Sequence, residues 1–187
     1  MKERGEKMIA IKEEVVEELD GSTEYYTYFD AKEVALGDLL QELYENHWQD
    51  IMTTYLIPGG VFELFSKQPK RVSILQGYLT VDTGDWHLHI CVSEPKIHDV
   101  KDVDKQKEIA RQRMVKRGAF IHVKRGKKAC TSESWYLRLW NGNDEQVVNI
   151  AFPSPHYDSD FKRLKEPDWT RVELWKSMCE KYLGITK

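Results

Sequence analysis

From residue 51 to residue 152 the chain is cut into short β-prone runs, each closed by Gly, Asp, Asn or a basic turn. This punctuation constrains the fold more than any other feature. Residues 51–57 and 61–65 flank Pro58-Gly59-Gly60 and read as a hairpin. Further β-like runs lie at 71–81, 86–92, 118–124, 134–140 and 146–152, and Asn141-Gly142-Asn143-Asp144 reads as a second hairpin turn. Seven or more strands joined mainly by short turns predict an antiparallel α+β domain, not a βαβ fold. The glycine patterns of dinucleotide-binding and P-loop folds do not occur, nor does any internal repeat.

Helical spacing appears around this β-rich stretch. Leu36, Leu39, Leu40, Leu43, Tyr44 and Trp48 recur at the period of one buried helix face and predict a helix over 34–48. A charged helix with few apolar positions is expected over 99–117. A third begins at Pro167 or Asp168, carries Val172, Leu174, Trp175, Met178, Tyr182 and Leu183, and ends at Gly184. Residues 1–33, with many acids and the cluster Tyr25-Tyr26-Thr27-Tyr28-Phe29 after the turn Asp20-Gly21-Ser22, read as an extension leading into one strand. Residues 34–187 then make a single domain, in keeping with a length of 187 residues.

An apolar fraction of 41% beside a charged fraction of 32% excludes disorder and collagen-like repeats. The apolar stretch Met8-Ile9-Ala10-Ile11 stops at Lys12, too short for a signal-peptide core or a membrane span, so no membrane insertion and a cytoplasmic location are expected. Cys91, Cys130 and Cys179 form no CxxC pair and give no disulfide framework. Charge is uneven. Residues 1–66 hold 5 Lys/Arg against 15 Asp/Glu, whereas 105–128 hold ten basic residues and one acid, Glu108. Such a stretch draws anions or forms a solvated helix face. It lacks interleaved aromatics and the overall charge is −3, so nucleic acid is not an expected partner.

The sharpest local pattern is Trp86-His87-Leu88-His89-Ile90-Cys91-Val92. Side chains alternate along a strand, so Trp86, Leu88, Ile90 and Val92 share the core face while His87, His89 and Cys91 stand in a row on the other, about 7 Å apart. Imidazole and thiolate are ligands for iron, zinc or copper, and His98 or Glu94 would extend the set. The alternative is that polar residues fill the wet face of a half-exposed sheet. Strand 118–124 offers another polar face, Phe120, His122 and Lys124, against Ala119, Ile121 and Val123. In 135–140, Trp135, Leu137 and Leu139 face one way and Tyr136, Arg138 and Trp140 the other. The second face suits either a flat aromatic ligand, with Arg138 or the basic residues at 124–128 pairing its carboxylates, or ordinary aromatic packing. No hydrolase motif or spaced triad is present, and no catalytic residue is assigned.

The order of motifs resembles a known group. His47-Trp48 to Met52-Thr53-Thr54, Pro58-Gly59-Gly60-Val61-Phe62-Glu63-Leu64 with Pro69, Gly77-Tyr78-Leu79, and His87-Leu88-His89-Ile90 are similar to the intracellular heme-utilisation proteins of the ChuX/HutX and HemS type, over 47–92 and more loosely 134–152. That resemblance implies a curved antiparallel sheet with flanking helices, often dimeric, holding heme against the sheet. It places the iron ligand at His87 or His89; on this reading cations such as Arg125 stand near the propionates, and the face of Tyr136 and Arg138 described above supplies further contacts. The Gly between the family's two histidines is Leu88 here, and Ile57 and Pro58 stand where some members carry a histidine.

Three functional readings follow. The first is a heme-binding homodimer for carriage, storage or utilisation, in which nothing demands enzymatic turnover. The second is a small metalloprotein or metal-dependent enzyme using His87, His89, Cys91 and His98. The third is an interaction module whose sheet pairs with a partner or a second copy.

Overall fold

The computed structural model describes residues 11–65, 67–98, 100–126 and 131–187. Residues 1–10 of the expected extension, Asp99 at the expected helix start, Lys127, Lys128 and Cys130 lie outside them.

The protein is α+β, and among the described residues every strand pair is antiparallel. The elements are β1 (Ile11–Glu17), β2 (Thr23–Asp30), α1 (Leu36–Asn46), β3 (Met52–Ile57), β4 (Gly60–Phe65), β5 (Arg71–Leu75), β6 (Tyr78–Asp82), β7 (His87–Cys91), α2 (Val103–Arg113), β8 (Val115–Lys124), β9 (Glu133–Asn141), β10 (Gln146–Ala151) and α3 (Glu173–Leu183), the last preceded by a 3-10 turn at Trp169–Val172. The antiparallel sheet with flanking helices that the motif order implies is present, and the strands divide between two sheets. A seven-stranded sheet runs β1-β2-β8-β9-β10-β3-β4, and a three-stranded sheet runs β5-β6-β7.

Three local expectations need correction. The run 71–81 is a hairpin, turned at Gln76 (φ 52°) and Gly77 (φ 91°). Two consecutive positive φ angles match the twist of a tight hairpin, and at Gly77 a Cβ would stand 2.7 Å from the Glu94 carbonyl oxygen. The charged helix is shorter than 99–117. Asp102 caps it by accepting from the Asp104 and Lys105 amides at 2.9 and 3.1 Å, and residues 115–117 leave it to join β8, which pairs with β9 from Val115 onward. Residues 11–30 make two strands, not one. Glu13, Glu14 and Glu17 sit on β1, an edge strand of the large sheet, where charge is tolerated on both faces and blunts pairing with other chains.

The core lies between the inner faces of the two sheets and the helices. From the large sheet it takes Phe29, Phe120, Leu137, Leu139 and Ile150; from the small sheet Leu79, Val81 and Ile90. Helix α1 contributes the predicted stripe of Leu36, Leu39, Leu40, Leu43 and Tyr44, all buried, and α3 contributes Trp175, Met178, Cys179 and Leu183. Tyr44, deep in this core, keeps its hydroxyl satisfied by Thr53 Oγ1 of β3 at 2.8 Å. Tyr26, Ala119, Ile121 and Val123 form a second apolar cluster on the opposite face of the large sheet. Strand β8 is therefore buried on both sides along its middle, and of its expected polar face only the half-buried His122 and the exposed Lys124 are polar. Phe120 is fully buried, and His122 is stacked on Trp135.

At the far edge of the large sheet, the predicted hairpin β3–β4 carries Tyr55, Leu56, Ile57, Val61, Phe62 and Phe65, all exposed. No helix of the described residues is long and apolar enough to cross a membrane.

Candidate functional site

Strand β7 is held to β6 in the register Tyr78↔Cys91, Thr80↔His89 and Asp82↔His87, and β6 is held to β5 with Arg71 opposite Asp82 and Ser73 opposite Thr80. Alternation sends Leu79, Val81 and Ile90 inward, so the outer face of the small sheet shows Arg71, Ser73, Thr80, Asp82, His87 and His89. Both histidines are exposed, with ring centroids 6.4 Å apart. His87 Nε2 lies 3.2 Å from Asp82 Oδ1. The Nδ1 of His89 is hydrogen-bonded to Thr80 Oγ1 at 2.9 Å, which leaves Nε2 as the nitrogen available to a metal or a ligand. A neighbour that engages one ring nitrogen and thereby orients the other is the arrangement found behind metal-binding histidines.

Cys91 follows on the same strand but is buried, and its Sγ donates to the Ser93 carbonyl at 3.3 Å. Burial pushes its thiol up, away from the thiolate that a metal requires. His98 is exposed in the segment after β7. Among the described residues, no three of His, Cys, Asp and Glu converge as a metal site. The row expected from alternation is thus reduced to a surface pair.

The remaining expected contacts lie elsewhere. Arg138 and Tyr136 alternate with the core residues Leu137 and Leu139, so they stand on the outer face of the large sheet. There Arg138 donates to Asn149 Oδ1 at 3.1 Å and to the Tyr26 hydroxyl at 3.2 Å, and lies 4.0 Å from Glu24. The Tyr26 hydroxyl donates to Glu24, and burial pushes its phenol up. Arg117 covers the Trp140 ring at 4.3 Å and the Tyr28 ring at 5.2 Å. Arg138 is already engaged by its own sheet. Arg125, just past β8, donates to Ser134 Oγ at 2.8 Å.

His87 and His89 therefore occupy the outer face of one sheet, Tyr136 and Arg138 the outer face of the other, with the apolar core between them. Within one copy of the chain they do not make one site. The residues actually beside the histidines are Thr80, Asp82 and Arg71. Reading 71–81 as a single strand hid them, because only the turn at Gln76-Gly77 brings β5 back alongside β6 and β7; Gly77, interrupting the run, was the signal in the sequence.

A family model described as "Family of unknown function (DUF7676)" matches residues 13–184. No curated protein matches the sequence. Among solved structures, a protein from Erwinia carotovora is similar at 13% identity and a TM-score of 0.53, over 83% of this chain and 75% of that one. The heme-binding protein ChuX is similar at 13% identity and a TM-score of 0.49, over 83% and 76%. Apo-PhuS, a heme-binding protein from Pseudomonas aeruginosa, is similar at 11% identity and a TM-score of 0.49, over 84% of this chain but 34% of PhuS. The Erwinia likeness is one of fold.

Proposed function

This chain belongs to the family of unknown function DUF7676, and for it we propose heme binding for carriage, storage or utilisation, with the iron taken by His89 or His87 on β7. The observation that carries this reading is the exposed imidazole pair, in which Thr80 holds His89 Nδ1 and leaves Nε2 for the iron. The donor set fits heme better than a closed protein-only metal site, since one or two imidazoles suffice when a porphyrin supplies the equatorial nitrogens. Bound heme would supply an iron centre; the chain's part is to ligate and orient it. Arg71, in register with Asp82 and His87, is the cation placed for a propionate. The order of motifs over 47–92 supports the same reading.

Arg125, Tyr136 and Arg138 could join such a site only from a second copy. A homodimer belongs to the proposal, with the exposed apolar β3–β4 hairpin as the surface on which two copies pair.

The test is a titration of purified protein with hemin, followed by the Soret band, for the wild type and for His87→Ala and His89→Ala. A saturable one-to-one shift that either substitution weakens or alters supports the proposal. A spectrum matching free hemin throughout, or indifference to both substitutions, overturns it.

A further inference from the structure

Beside the C-terminal helix, on the helix-covered side of the large sheet, lies a cavity of about 490 Å³ that contains neither β7 histidine. One wall is a cross-strand row of three rings. Tyr25 of β2 is paired in register with His122 of β8, and His122 with Trp135 of β9. The His122 and Trp135 rings are 4.8 Å apart and 7° from parallel, and Tyr25 continues the stack at 5.7 Å and 29°. Trp169, in the 3-10 turn and half exposed, stands edge-on to Trp135 at 6.4 Å and 87°. Trp175 closes the cavity from α3, its ring held by an Nε1–H bond to the Tyr136 carbonyl at 3.2 Å.

The polar groups of the lining are few and convergent. Thr27 is buried against the cavity, and no described residue takes its hydroxyl. His122 gives one ring nitrogen, Nε2, to Glu133 at 2.6 Å and keeps Nδ1. Three lysines, Lys124, Lys176 and Lys187, line the cavity against one acid, Glu173. Glu173 pairs with Lys176, and Lys187 pairs with Glu13. Lys124, over the Tyr25 ring at 5.4 Å, has no carboxylate partner among the described residues. Burial keeps the His122 imidazole below its ordinary range, so it contributes ring surface and a hydrogen-bonding nitrogen, not charge.

Small-molecule pockets are concave, of about 300–1,000 Å³, mainly aromatic or apolar, with a few placed polar groups. Aromatic walls take a flat ring face-on or edge-on, and an unneutralised lysine takes an acid group. The geometry points to a second binding site, for a small planar aromatic anion, with the ring among Trp135, Trp169 and Trp175 and the acid group at Lys124. This site is independent of the heme reading, because it uses no residue of β7.

The test follows the six indole N–H signals of ¹⁵N-labelled protein, assigned by Trp→Phe variants, during titration with 2-naphthoate, with AMP and with neutral 2-naphthamide. The expected result is a saturable shift of the Trp135, Trp169 and Trp175 signals with 2-naphthoate, AMP or both, which marks an aromatic acid site, a nucleotide site or one tolerant of each. Lys124→Ala should weaken binding of the anion about tenfold, and the amide should bind no better to the wild type than to that variant. Trp169→Ala, at an exposed position, should abolish the shift at Trp135. Absence of a saturable shift with both anions overturns the proposal, as does binding that is indifferent to Lys124→Ala or equal for the acid and the amide.

Discussion

The imidazole of His122 lies parallel to the indole of Trp135, ring centroids 4.8 Å apart, while its Nε2 is held by Glu133 at 2.6 Å. Two influences on its charge oppose each other. Burial disfavours the imidazolium, Glu133 favours it, and burial is the larger, so the folded-state pKa is lowered from the ordinary value of 6.5. The unfolded chain therefore takes up the proton first as pH falls. This group's contribution to stability is complete above about pH 6.5 and is lost as pH drops from there through the lowered folded value. Urea unfolding from pH 8 to pH 5 should show that loss, and His122→Phe should flatten it; an unchanged slope in the variant would assign the effect to another group.

Thr80 has a parallel relation to His89. If its hydroxyl fixes the imidazole that takes iron, Thr80→Val should weaken hemin about tenfold, as loss of an orienting partner does at metal-binding histidines, and should move the Soret maximum. Thr80→Ser, which keeps the hydroxyl, should restore both. Equal binding by the valine and serine variants would remove Thr80 from the site.

The turn between β5 and β6 admits little change at Gly77. With φ at 91° and backbone carbonyls of Glu94 and Ser93 within 2.8 Å of a built Cβ, Gly77→Ala combines a disfavoured conformation with a backbone clash. A loss of more than about 1 kcal/mol is expected from the urea midpoint. Gly59→Ala, at φ 79° with nothing near its Cβ, should cost less, since only the conformational part applies. Equal losses would mean that the clash relaxes freely.

Phe62 is 62% exposed on β4, the outer strand of the large sheet. If two copies pair on that edge, Phe62→Lys should shift the sedimentation profile from dimer to monomer with the far-ultraviolet circular dichroism unchanged. A wild type that is monomeric at every concentration would dispose of the paired assembly.

Much of this architecture was legible along the chain. The leucine stripe of α1, the β3–β4 hairpin at Pro58-Gly59, the turn at Asn141-Gly142 and the alternation of 87–91 and 135–140 all appear where the pattern put them. Each depends on local geometry: where a Cβ points on a helix or strand, and which residues tolerate a turn. Edge strand β1 was missed because its acids mask a β pattern that needs no apolar face at a sheet margin.

Alternation along the chain already put His87 and His89 on one strand face, opposite a core face of Trp86, Leu88, Ile90 and Val92, and Tyr136, Arg138 and Trp140 on one face of another strand. Tertiary structure alone decided that these two faces belong to different sheets with the core between them, that Cys91 is covered, and that Tyr25, His122 and Trp135 stand in one row. The reason is physical: alternation follows from covalent geometry within one strand, whereas strand partners are selected by burial between segments distant in the chain, as for Tyr25 and His122.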